Sequence, residues 1–263
     1  MKFAFDLISD LHIDSWPTLN LDMIATSPFC VVAGDVGRDR NSVLEFIEEL
    51  SQHYQAVFYI DGNDEHRYYY HDIPDSYKTL ADSLLEMPDV VFLQNNVVVI
   101  DGVAIVGSNG WWDYKFDPYF GDADQSSRWM SDRYNISLGN AEYARSLAAT
   151  DAKYLISTIN KLQTHNDVKK IVLVTHTVPR PDLIEHDPQL INTHGFNCMG
   201  NSLLQDVFLN DTEGKISTWA FGHYHGDIDQ QINGVRYVNN CRGKSGDHWC
   251  KTVFYPKRIE IDV

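Results

Sequence analysis

Positive charge is scarce in this sequence: 21 Lys and Arg stand against 37 Asp and Glu, a formal charge of −16 over 263 residues. Polynucleotides and anionic membranes bind proteins through a basic footprint, so a broad phosphate-binding surface is disfavoured and no nucleic acid is expected as a partner. Cysteine is nearly as rare. Cys30, Cys198, Cys241 and Cys250 form no Cys-x-x-Cys pair, which argues against a disulfide scaffold and against a closed structural zinc site. No long hydrophobic run is present either. The apolar start MKFAFDLISDLH is interrupted at Asp6, too early for a signal peptide or membrane span, so a cytoplasmic protein without a membrane partner is expected. Repeats, linkers and low-complexity tracts are also missing. With 43% hydrophobic residues there is enough apolar material for a packed core, and a single domain over residues 1–263 is the simplest organisation.

Apolar runs from Phe3 to Ile8, Phe29 to Ala33 and Ala56 to Ile60 read as buried strands, with a helix from Asn41 to Gln52 between the second and third. Asn41 or Ser42 is placed to cap that helix. Strand, helix and strand in alternation predict a parallel α/β layer, in which ligands gather at the carboxyl ends of the strands. Val97 to Ile100 and Val103 to Val106 flank Asp101-Gly102, a hairpin turn dipeptide, and Asn233-Gly234 marks another. A helix is expected from Ala141 to Gln163 and a strand from Lys170 to Val174. Further strands are expected at Ile216 to Phe221, Asp227 to Ile232, Val235 to Val238 and Thr252 to Tyr255. The aromatic and polar stretch from Asp113 to Asn140 has no clear period and reads as a surface excursion.

Five polar clusters each follow an apolar strand: Asp10-Leu11-His12, Gly34-Asp35, Gly62-Asn63-Asp64, Thr175-His176 and Gly222-His223-Tyr224-His225. Any one of them alone would be an ordinary turn. Their placement is what matters, because a parallel layer brings strand ends together.

This ordered set resembles the calcineurin-like metallophosphoesterase superfamily, whose pattern is D-x-H, GD, GN-H-D/E, a histidine after a strand and G-H-x-H, from Asp10 to His225. The resemblance implies a four-layer α/β/β/α sandwich of two mixed β-sheets flanked by helices. It also implies two metal ions at the strand ends, with Asp10, His12, Asp35 and His225 holding one and Asp35, Asn63, His176 and His223 the other. Imidazole, carboxylate and amide donors together suit manganese or an iron/zinc pair, divalent or mixed-valence. Two such ions can lower the pKa of a bridging water and clamp the oxygens of an in-line phosphoryl displacement. The implied activity is hydrolysis of a small soluble phosphate monoester or diester. Concentrated metal charge would let an acidic protein hold one phosphoryl group. The alternative is a metal-binding or catalytically disabled interaction scaffold on the same fold; oligomeric state is open.

The sequence departs from this family at two linked positions. The residue after Asn63 is usually a histidine that protonates the leaving oxygen, and here it is Asp64. Three residues after Asp35 many members carry an acid, and here stands Arg38. If the two face each other, an Arg38/Asp64 pair replaces an acid/His pair, and a carboxylate beside a guanidinium is a poor proton donor. Substrates whose leaving group needs little help, phosphoanhydrides or aryl esters, would be favoured. His66 could supply the proton instead, or the site could be disabled; Arg38 could contact substrate phosphate.

Lesser candidates are Trp111, Trp112 and Tyr114, as pocket wall or as core, and the polar run from Val178 to Ser202 as a pocket rim carrying His194 and Asn197. Tyr68, Tyr69 and Tyr70 could be rim or core. His53, His71, His165, His186 and His248 belong to no motif.

Overall fold

The computed structural model describes residues 2–17, 24–69, 72–117, 119–134 and 141–263. Five strands form the first sheet: β1 (Lys2–Ile8), β2 (Phe29–Ala33), β3 (Ala56–Ile60), β4 (Val90–Phe92) and β11 (Lys257–Asp262), in the order β11-β1-β2-β3-β4. All neighbours are parallel except β11 against β1. The second sheet contains β5 (Asn96–Ile100), β6 (Val103–Ser108), β7 (Lys170–Thr175), β8 (Ile216–Phe221), β9 (Asp229–Ile232) and β10 (Val235–Asn239), in the order β5-β6-β7-β8-β10-β9. Its inner strands are parallel, and hairpins at Asp101-Gly102 and Asn233-Gly234 add an antiparallel edge on each side. All four turn residues have positive φ, as this type of tight turn requires.

Four layers result. Phe3, Phe5, Leu7, Val31, Phe58 and Ile60 from the first sheet pack against Ile105, Val172, Val174, Ala220 and Val238 from the second. Helices α1 (Arg40–Ser51) and α2 (Ile73–Leu84) contribute Val43, Ile47, Leu50, Leu80 and Leu84 to the outer face of the first sheet. On the second sheet the long helix α4 (Ala141–Gln163) packs Ala152, Leu155, Ile159 and Leu162 over Ile171, Leu173 and Trp219. Central strands are buried on both faces and therefore read as unbroken apolar runs. Each fully buried Leu, Ile, Val or Phe contributes about 1.5–3 kcal/mol of transfer free energy, which favours this arrangement over any that exposes one face.

Several expectations are corrected. The stretch from Asp113 to Asn140 contains a helix, α3 (Ala123–Tyr134), and buries Tyr114, Phe116, Ala123 and Met130. Its buried face at Ala123, Ser126 and Met130 is too sparse to announce a helical period. No strand forms from Thr252 to Tyr255. The last strand is β11, where Ile259 and Ile261 point inward between the charged Arg258 and Glu260. Helix α2, whose Ile73, Leu80 and Leu84 fall at helical spacing behind the cap Asp72, and the short β4 are additions to the expected elements. The cap of α1 is Asp39, which accepts from the Ser42 N–H, rather than Asn41 or Ser42.

Candidate metal centre

The five clusters meet where the two sheets' carboxyl ends converge, and backbone bonds stitch them together across the sheets. Asp10 N–H donates to the Gly34 carbonyl, His12 N–H to the Asp35 carbonyl and Gly222 N–H to the His176 carbonyl. His223 N–H donates to the Asp10 carboxylate at 3.0 Å. Four of the seven candidate ligands, Asp10, His12, Asp35 and His223, hold left-handed backbone with φ between 44° and 65°. Such geometry costs a non-glycine residue about 1–2 kcal/mol, so tertiary packing has to offset strain at four points of one site. The loops also lie close enough that side chains are excluded. A Cβ on Gly62 would fall onto the Asp35 carboxylate, and one on Gly34 would meet the His176 ring and the Gly62 backbone.

Asp35 stands at the middle. Its Oδ2 faces His12 Nε2 at 3.7 Å, while its Oδ1 faces His176 Nε2 at 3.4 Å. On the first side, His12 Nε2 lies 3.1 Å from His225 Nε2, and Asp10 Oδ1 lies 3.3 Å from His225. On the second, His176 Nε2 lies 3.2 Å from Asn63 Oδ1 and 3.2 Å from His223 Nδ1. Two imidazole nitrogens aimed at each other at such distances must share either a proton or a cation. Ligands about 2.1 Å from one ion at 90–110° stand roughly 3.0–3.4 Å apart, so the donor spacing fits a metal on each side.

The two halves are backed differently. His12 Nδ1 lies 3.2 Å from Asp64 Oδ2 and His225 Nδ1 2.7 Å from Asp247 Oδ2. The rings of the second half rest on backbone: His176 Nδ1 on the Ala33 carbonyl at 2.9 Å and His223 Nε2 on the Cys198 carbonyl at 3.0 Å. Burial opposes a charged His225, but Asp10 and Asp247 outweigh it and push its pKa up to about 10. Among the described residues His223 has a carbonyl rather than a carboxylate behind it, and burial followed by the nearby His176 pushes it down to about 3.

Arg38 and Asp64 do face each other, Nε to Oδ2 at 3.2 Å. Burial would raise the Asp64 carboxyl, but the His12 contact and the charges of Lys244, His12 and Arg38 hold it well below the usual range. His66 is not at the centre. It is fully buried, with Nε2 2.7 Å from Asp61 and Nδ1 2.7 Å from the Ser76 hydroxyl, so both nitrogens are committed to holding the turn after β3. His194 and Asn197 are likewise ties rather than rim: His194 bonds Ser126, while Asn197 bonds the Asp117 N–H and the Phe120 carbonyl. Trp111 and Tyr114 are core residues. Trp112 is buried too, yet its ring stacks on His223 at 5.5 Å and faces the cavity. Tyr68 is exposed, and Tyr70 and His71 lie outside the described residues.

Two positioning groups, Lys244 and Asp247, carry no motif signal, and a third, Glu65, stands at the D/E place of the third motif. Glu65 accepts the N–H groups of Asp35, Val36 and Gly62 and the Tyr59 hydroxyl, locking two metal-side loops together. Lys244 and Asp247 arrive on the loop after β10, paired with Asp64 at 3.1 Å and with His225. A cavity of about 540 Å³ opens over the centre, lined by Asp35, Asn63, His223 and His225 and walled by Trp112, Trp129, Leu190, Met199 and Trp249. The run from Val178 to Ser202 thus does form part of a rim. A larger cavity, about 890 Å³ around Phe116 and Arg145, touches none of the candidate ligands.

Two mixed sheets between helices, with paired His/Asp clusters at the strand ends, are the architecture that the family resemblance implies. No protein-family model matches the sequence. An uncharacterized protein, L509, of Acanthamoeba polyphaga mimivirus is 25% identical over 230 residues, 82% of this chain and 79% of that protein. The structure is similar to the phosphopantetheinyl hydrolase PptH of Mycobacterium tuberculosis, with a TM-score of 0.72 and 19% identity over 91% of this chain and 89% of that one. It is also similar to a candidate 5′-nucleotidase of Staphylococcus aureus solved with alpha-ketoglutarate, at a TM-score of 0.54 and 14% identity over 92% of this chain and 49% of that chain. Among the described residues no helix is long and apolar enough to cross a membrane.

Proposed function

We propose that this chain is a metal-dependent phosphoesterase acting on a small soluble phosphate ester or diester, with Asp10, His12, Asp35, Asn63, His176, His223 and His225 holding two ions. The observation that carries this reading is the Asp35 carboxylate, whose two oxygens face two separate donor groups. Manganese or an iron/zinc pair fits the mixed nitrogen and oxygen donors. Ions held there supply Lewis acidity toward a phosphoryl group and lower the pKa of nearby water.

The protein itself supplies position and selectivity. Strained loops locked by Glu65 keep the donors in place without further reorganisation. The cavity takes a small molecule, its phosphate toward Asp35 and Asn63 and its remainder against Trp112, Leu190 and Met199. Asp64 accepts from Arg38 and faces Lys244 and His12, so the leaving oxygen receives no proton from it, which favours phosphoanhydrides and aryl esters. The names of the two similar structures, a hydrolase of phosphopantetheinyl groups and a candidate nucleotidase, are in keeping with a phosphate-bearing substrate. Buried free thiols at Cys30, Cys198 and Cys241 suit a reducing cytoplasm.

Metal analysis of the purified protein, coupled to turnover of p-nitrophenyl phosphate and bis(p-nitrophenyl) phosphate with added manganese, tests the proposal. Two bound ions with hydrolysis of either ester are expected. Two ions without turnover would favour an interaction scaffold, and absence of metal binding would overturn both readings.

A further inference from the structure

The replacement of the usual proton donor by Asp64 leaves an organised group of cations beside the centre. Asp64 is fully buried, whereas the side chains of Arg38 and Lys244 are 32% and 31% exposed. Both reach the same oxygen, Asp64 Oδ2, at 3.2 and 3.1 Å, and that oxygen also lies 3.2 Å from His12 Nδ1. Arg67 approaches the other oxygen at 3.5 Å. The carboxylate is therefore an anchor under a cationic surface.

Arg38 is held by the wrong end for a simple salt bridge. Its ion pairs, with Asp64 at 3.2 Å and Asp14 at 3.7 Å, run through Nε. Among the described residues its two terminal amino groups donate no hydrogen bond, so the fork that grips phosphate in two-point fashion stays presented. Lys244 lines the same cavity as Asp35, Asn63, His223 and His225, and its ammonium has Asp64 as its ion-pair partner. Relative to the donor atoms at His12 Nε2, both cations are set back by a ring and a carboxylate. That is the place of a neighbouring anionic group, not of the scissile phosphoryl.

We infer that Arg38 and Lys244, anchored on Asp64, form a subsite for a second phosphoryl group, so that the substrate is a diphosphate and the leaving group is a phosphate. This rests on the phosphoesterase reading and deepens it. Water oxygen bonds to the scissile phosphorus while the bridging P–O bond breaks, its electron pair staying on the departing phosphate oxygen. The proton lost by the attacking water passes to solvent. A departing phosphate needs charge compensation rather than a proton, and two cations on a buried carboxylate provide that where a histidine would provide a proton.

Calorimetric binding of AMP and of its nonhydrolysable diphosphate analogue, α,β-methylene-ADP, to manganese-loaded protein freed of excess metal tests the subsite. The nucleoside is common to both ligands. The diphosphate analogue should bind wild-type protein about tenfold more tightly or better. In Lys244→Gln and in Arg38→Gln that preference should shrink to within about threefold, and Lys244→Arg should restore it. A wild-type preference near one would overturn the subsite even if bis(p-nitrophenyl) phosphate is hydrolysed, and the phosphoesterase reading would then stand alone. A clear preference in a protein that hydrolyses neither these esters nor ADP would keep the subsite but sink the enzyme reading, and with it the leaving phosphate. Equal losses of both ligands in Lys244→Gln, with an unchanged melting temperature, would assign that cation to the scissile phosphoryl and overturn the proposal.

Discussion

The two halves of the centre share Asp35 and similar donors, yet they are supported by different chemistry. In the Asp10 half both histidines face carboxylates, His225 hydrogen-bonded to Asp247 and His12 3.2 Å from Asp64, whereas in the Asn63 half both lean on backbone carbonyls. A carboxylate behind an imidazole increases its basicity and its hold on a cation, while a carbonyl fixes tautomer and orientation with less charge. One half is thus built for retention and the other for geometry. On chelation, the ion of the Asn63 half should leave first.

The largest effect should come from removing what the halves share. Asp35→Asn should lower bound metal from two ions to one or none and cost a thousandfold or more in kcat, roughly the scale of losing a main electrostatic element; a retained pair of ions would refute the shared role. Next comes support behind the neutral half. Asp151 accepts the Gly110 and Trp111 N–H groups beside Asn109, whose carbonyl accepts the His176 N–H, and burial pushes its pKa up to about 6. A carboxyl raised on folding contributes stability that is complete below its unfolded pKa and is lost as pH climbs through the folded value. Between pH 4 and 6, unfolding titrations should therefore show a loss of roughly 3 kcal/mol in wild type that Asp151→Asn does not show.

Asp247→Asn acts on the other half alone and should weaken metal affinity by about 10 to 100-fold at one site of two. Equal weakening at both sites would erase the contrast. Smallest is the gain from Asp64→His, about tenfold on alkyl phosphodiesters and less on p-nitrophenyl esters. Equal effects on good and poor leaving groups would show that proton donation is not what Asp64 gave up.

The backbone of this picture is legible in the chain because both sheets are buried on both faces. Unbroken apolar runs at Phe29 to Ala33 and Ile171 to Val174 can hardly be anything but central strands, and each of the five polar clusters follows a largely apolar run. Edges and covers were harder to read. β11 alternates Ile with charged residues, and α3 buries a thin, partly polar face, so neither carries enough apolar signal. His66 has the sequence position of a catalytic candidate but the environment of a structural one, since Asp61 and Ser76 capture it.

By itself the sequence determined the fold class, the seven candidate ligands and the exchange of a histidine for Asp64. Local runs and short spacings carry the α/β layer and the five polar clusters, and the sandwich, the seven ligands and the exchanged histidine are what the family resemblance of those clusters implies. Tertiary structure alone decided that Asp35 divides its oxygens between two clusters, that Lys244 and Asp247 reach back from beyond β10, and that the Arg38 fork donates no hydrogen bond among the described residues. Those facts depend on segments 22 to 180 residues apart meeting at one sheet edge. Charge composition cannot report them, because a net charge of −16 says nothing about where the few cations are gathered.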